Sequence, residues 1–208
     1  MRLTPVTGPP AEGGARRSRV SRPLVWLALA MPGCWIGYRW GFTPDRYGYG
    51  HAVADSGDWA AWLLMATLAV TPLRLLWPRA RWSRWLVGRR RALGVATFAY
   101  AAGHTAIYLL HKASPAQVIA DLALPGLLLG WLALTLFAPL AATSNDASMR
   151  RLKRGWKKLH RLVYPAAILT FAHWVLTAFD PTIAWAHAAV LAVIEAVRIA
   201  LQRRQRVT

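Results

Sequence analysis

Two histidines occur where the sequence is otherwise hydrocarbon. His104 lies in the apolar run Ala92–Leu110, and His173 lies in the apolar run Leu162–Phe179. An ionisable side chain at membrane depth is expensive, so its presence there marks a functional site. Imidazole is a common ligand for haem iron. Counted from the basic starts of their runs, His104 is about 13 residues in and His173 about 15, which places them roughly 20 and 22 Å along a helix. Both runs proceed in the same direction, so the rings fall at one height. Two facing imidazoles at one height suit a six-coordinate iron porphyrin held between two helices. The competing reading is a pair of hydrogen-bonding helix contacts.

The other histidines are less well matched. His160 shares the helix of His173 but comes 13 residues earlier, beside Lys157 and Lys158. A second bis-histidine site would need a partner near the start of the third span, where the sequence offers Arg90 and Arg91 instead. Three roles stay open for His160: binding a second cofactor, ligating haem with an unusual partner, or contacting a quinone. His111 follows His104 by seven residues, on nearly the same helix face. It reads as a solvated boundary residue and a spare ligand. His51 reads as solvated in a loop rich in Gly and Tyr, and His187 as a helix-packing residue. No catalytic grouping stands out among the eight acidic residues. The glycines around residues 13–14 and 48–50 lack the strand–helix context of a dinucleotide fingerprint.

The elements that must position these rings are membrane helices. Of 208 residues, 56% are hydrophobic and 16% charged, which is too apolar for a disordered chain. The twelve tryptophans suit membrane interfaces. The expected fold is all-α, a polytopic bundle of about six spans: Pro23–Tyr38, Trp59–Trp77, Ala92–Leu110, Val118–Ala142, His160–Phe179 and Ile183–Leu201. Residues 1–22 read as a disordered basic tail, 23–201 as the membrane domain and 202–208 as a basic C-terminal tail. The segment Arg39–Asp58 reads as the largest extramembrane loop. The lone Cys34 excludes an internal disulfide and a Cys-rich metal site, and reads as a small apolar helix residue.

Charge settles the orientation. The net charge of +18 is concentrated in alternate connections. Arg79–Arg91, Arg150–Lys158 and both tails are basic, whereas the opposite loops together hold Arg39, Arg46 and Lys112. The positive-inside rule then places both termini in the cytoplasm, as an even span count also requires. The basic clusters set topology and meet anionic headgroups of the bilayer rather than nucleic acid. The arginine-rich N-terminus resembles a secretory signal, but cleavage would break the agreement between span parity and charge, so the first span is expected to stay.

The residues also carry a resemblance. The third span opens Arg89-Arg90-Arg91-Ala92-Leu93-Gly94 and continues through Phe98-Ala99-Tyr100-Ala101 to His104 and Tyr108. The fifth opens Trp156-Lys157-Lys158-Leu159-His160-Arg161-Leu162-Val163-Tyr164 and reaches His173. The second ends Thr71-Pro72-Leu73. Together these resemble the MsrQ family, within the wider ferric-reductase-like transmembrane group, over roughly residues 23–201. The resemblance implies a multi-pass b-type cytochrome of the bacterial inner membrane. Its members are described as carrying haem b and FMN and as taking electrons from the quinone pool. They pass them to a periplasmic molybdopterin subunit that reduces methionine sulfoxide in envelope proteins. It matches His104 and His173 to the family's membrane haem ligands and His160 to its third histidine. It fixes no FMN residue. This chain departs from the family in its long Arg/Gly/Pro tail and in His111.

Two saturating imidazoles favour outer-sphere electron transfer over oxygen activation. The expected role is thus an electron-transfer subunit, with substrate reduced in the partner. Quinol oxidation is expected at the cytoplasmic boundary near His160, where Arg90, Arg91 or Lys158 would stabilise an anionic quinone or a flavin phosphate. Two alternatives are carried: another haem-containing ferric or cupric reductase, and a non-redox small membrane transporter.

Overall fold

A computed structural model describes residues 21–207 of the chain. The tail expected over residues 1–22 lies outside the described residues, except that Ser21 and Arg22 open the first helix. All regular structure among the described residues is helical: α1 (Ser21–Phe42), α2 (Tyr49–Leu76), α3 (Arg81–His111), α4 (Pro115–Asp121), α5 (Pro125–Ala142), α6 (Asp146–Leu152), α7 (Arg154–Leu159), a 3₁₀ turn (His160–Leu162), α8 (Val163–Thr177) and α9 (Thr182–Val207). The expected helical membrane bundle is what forms. Among the described residues four helices, α2, α3, α5 and α9, are long and apolar enough to cross a bilayer. At 15 residues α8 is shorter than a full span needs.

Several boundaries differ from the expected ones. The segment read as an Arg39–Asp58 loop is mostly helix. α1 runs to Phe42 and α2 starts at Tyr49, so His51 stands on the first turn of α2 rather than in a loop. Ala52 and Ser56 are buried along this extension, which is why it continues as a packed helix. The expected Val118–Ala142 span divides into α4 and α5. Leu124 is extended (φ −83°, ψ 116°) because the following Pro125 disfavours helical geometry before it, and Pro125 then starts α5. The last helix carries on past Leu201 through its basic residues to Val207.

Packing is pairwise. α2 lies chiefly against α3, and α5 against α8, with α9 closing over α2. One apolar cluster joins Ile36, Leu63, Ala96, Tyr100 and Ile107 of α1–α3. A second joins Leu64, Leu68, Phe137, Ala166 and Phe171 of α2, α5 and α8. α1 is pinned by a polar contact that follows from Pro32 within it. The Tyr100 hydroxyl accepts from Gly33 N–H (2.7 Å) and donates to the Leu29 carbonyl (2.8 Å). These two backbone groups would ordinarily bond each other, four residues apart. A side chain has entered the ladder beside a proline, and it satisfies both groups where no water is at hand. A β-carbon on Gly33 would stand 3.3 Å from that hydroxyl, so glycine leaves room for it.

Candidate functional site

His104 on α3 and His173 on α8 meet inside the bundle. Their ring centres are 6.2 Å apart and their planes lie at 83°. His104 Nδ1 is 2.8 Å from the Val53 carbonyl of α2, and His173 Nδ1 is 2.7 Å from the Gly126 carbonyl of α5. A carbonyl only accepts, so in each ring Nδ1 carries the proton and donates it. Each Nε2 therefore presents a lone pair, and neither has a hydrogen-bond partner among the described residues. This is the arrangement a metal-binding imidazole requires: the remote nitrogen tied to a backbone acceptor, which fixes tautomer and ring angle. The spacing also suits a shared metal. Two bonds of about 2.0 Å, with about 1.1 Å from ring centre to nitrogen on each side, sum to roughly the separation seen.

Both rings line one cavity of about 550 Å³, within the range of small-molecule and cofactor sites. Small residues keep it open, among them Gly57, Ala61, Ala101, Gly130 and Ala133. The two glycines lie directly against the rings. A β-carbon on Gly130 would come within 2.8 Å of His173 Nδ1, and one on Gly57 within 3.2 Å of His104 Nδ1. Gly126 and Gly130 are four apart on α5, the small-xxx-small spacing that lets helices approach closely. That approach delivers the Gly126 carbonyl to His173. A β-carbon at Gly126 would stand 2.8 Å from Thr177 Cγ2. At one end the lining includes Asp58 and Asp180. Asp180 lies in the turn before α9, where hydrogen bonds from Thr182 hold its carboxyl below the usual range.

His160 is elsewhere. Its Nε2 is 3.1 Å from the Thr143 hydroxyl at the far end of α5, and its face stacks on Trp156 at 3.9 Å. The Trp156 indole donates to the Thr143 carbonyl, closing this small group (3.0 Å). Of the cations expected beside it, Arg91 is paired with Asp146 (2.8 Å) and donates to the Met149 sulfur, while Lys158 is exposed. Arg90 is half-buried. His111 and His51 are both exposed, as expected; His111 stacks flat on Tyr49 (3.7 Å) and His51 packs beside Tyr47. The Trp62 indole of α2 donates to His187 Nε2 (3.2 Å) and Trp174 of α8 lies against its ring, so His187 packs between helices. Sequence reading missed Val53 and Gly126, since a backbone carbonyl leaves no mark in the sequence, and Ser56, because its segment reads as a loop. The Gly126–Gly130 spacing was the one available signal.

Residues 56–171 match the family described as the ferric reductase like transmembrane component. A helical membrane bundle with histidine-bearing helices facing one another is the class of membrane protein this defines. Among curated relatives, proteins named protein-methionine-sulfoxide reductase heme-binding subunit MsrQ are similar over most of their length. The one from Ralstonia nicotianae is 40% identical, over 75% of this chain and 72% of its own. That from Rhizobium meliloti is 38% identical, over 76% and 78%, and that from Xanthomonas oryzae pv. oryzae 36%, over 84% of each. The chain belongs to the MsrQ family. No solved structure matches it.

Proposed function

We propose that this protein is the haem-binding, electron-relaying membrane subunit of a methionine-sulfoxide reductase system, with His104 and His173 as the axial ligands of a b-type haem. The observation that carries the reading is the paired geometry: two Nδ1 donors tied to carbonyls on different helices, two unengaged Nε2 atoms, and 6.2 Å between ring centres in one cavity. The residues fit the group, since small side chains hold the space and the tautomers expose the right nitrogens. His104 and His173 would hold the haem, which when bound would supply a one-electron couple. The chain's own part is to fix the rings, to exclude water with the apolar lining, and to set the potential.

The charge alternation in the loops supports the reading of six spans with both termini cytoplasmic, and the family resemblance that of a bacterial inner membrane. In that orientation the histidine pair lies toward the outer face, where a periplasmic molybdopterin subunit would receive the electrons. Quinol is then oxidised at the basic end, beside His160 and the half-buried Arg90. FMN, implied by the family resemblance, has no assigned residue in this chain.

The test is a reduced-minus-oxidised visible spectrum with a haem count on the purified full-length protein. A low-spin b-type spectrum that vanishes in both His104→Ala and His173→Ala is expected. His160→Ala is expected to keep it and to slow reduction by quinol. Loss of all haem in His160→Ala, or a colourless wild-type chain, would contradict the assignment.

A further inference from the structure

The two rings are held unequally, and the difference lies in Ser56. This serine is 4% exposed and sits on α2 one turn after Val53. Its Oγ is 2.7 Å from the Ala52 carbonyl and 3.0 Å from the Val53 carbonyl, so its single proton is given to the helix backbone. The same oxygen is 3.4 Å from His104 Nδ1. That nitrogen already carries the proton it donates to Val53, so toward the ring Ser56 can only accept. The His104 N–H thus faces two oxygens. On the other side, His173 Nδ1 has the Gly126 carbonyl at 2.7 Å and no second acceptor among the described residues. The nearby Thr177 hydroxyl donates instead to the His173 backbone carbonyl (2.8 Å).

An acceptor on the remote nitrogen of a coordinated imidazole raises the basicity of the coordinating one. A more basic ligand stabilises the oxidised metal and lowers its potential. The geometry points to Ser56 as a positioning residue of the haem site, which makes His104 the stronger electron donor of the two ligands and holds the potential down. This rests on the haem reading above. A buried serine bonding back to its i−4 carbonyl is also an ordinary helix feature. If that were its whole role, removing the hydroxyl would leave the potential where it was.

The experiment is a spectroelectrochemical titration of the purified full-length protein in four forms: wild type, Ser56→Ala, Ser56→Thr and Thr177→Val. Ser56→Ala is expected to bind haem at the wild-type ratio with an unchanged low-spin spectrum. Its reduced-to-oxidised ratio at a fixed applied potential should rise about threefold, which is roughly 30 mV for a one-electron couple. Ser56→Thr restores the hydroxyl and should return the ratio to wild type. Thr177→Val removes a hydroxyl that does not face a ring nitrogen, and should not move it. An unshifted Ser56→Ala overturns the proposal, as does a Ser56→Thr that shifts as far as the alanine variant, and as does loss of haem in Ser56→Ala. A wild-type chain without haem sinks the site assignment itself, and the spectrum reveals that before any titration begins.

Discussion

The histidine pair on α3 and α8 and His160 in the 3₁₀ turn after the basic α7 use the same side chain, yet they are prepared for different work. At the pair, the protein engages Nδ1 with backbone carbonyls and leaves Nε2 open toward a cavity. At His160, Nε2 itself meets the Thr143 hydroxyl and the ring face is covered by Trp156. Which nitrogen the protein occupies decides which one is left to ligate, and the residue type alone does not. Packing follows the same division. Glycines face the rings of the pair, and a tryptophan faces His160.

The largest effect that would break this contrast is ligand removal. His104→Ala and His173→Ala should each lower haem content at least tenfold by pyridine haemochrome assay, with His160→Ala close to wild type. Next comes the glycine cradle. Gly130→Ala places a β-carbon 2.8 Å from His173 Nδ1, closer than any side chain tolerates, so haem content should fall severalfold. Gly57→Ala, at 3.2 Å from His104, should do less, and Gly103→Ala, with nothing within 4 Å, should do nothing. Retained haem in Gly130→Ala would show that the ring has more freedom than this packing allows.

A smaller effect separates scaffold from site. Tyr100→Phe removes the hydroxyl that bridges Gly33 and Leu29 and leaves an unpaired backbone donor and acceptor, at about 1–3 kcal/mol. The unfolding midpoint should drop while the spectrum of the bound haem stays put. The smallest effect is one of pH. The Lys112 ammonium, and then the Tyr108 hydroxyl, hold the Asp121 carboxyl below its usual range. A depressed carboxyl stabilises the fold above its unfolded value of about 3.9 and loses that contribution as pH falls through the lower folded value. The difference in unfolding midpoint between wild type and Asp121→Asn should therefore be constant above about pH 5 and shrink below about pH 4.

How much of this was legible beforehand differs by level. The helical membrane class, the facing of His104 and His173, and the isolation of His160 from them could be read, because apolar runs and helical rise leave a periodic record. The start of α2 could not be, since Tyr49–Asp58 is polar enough to pass for a loop while Ala52 and Ser56 bury one face of it. That misread segment supplies the carbonyl for His104, so half of the site's support was hidden with it. The break before Pro125 was available in principle from the proline, but the leucines on either side masked it. The stacking of His111 on Tyr49 joins residues far apart in sequence and had no local signature at all.

Low-temperature EPR of the oxidised, purified protein tests the central claim most directly, because it reads both ligands and the angle between them. Imidazole planes held near 83° by separate helices should give the strongly anisotropic low-spin ferric signal of perpendicular axial rings. That signal should be lost in His104→Ala and in His173→Ala alike. A rhombic signal typical of parallel rings, or one that survives either substitution, would contradict the account.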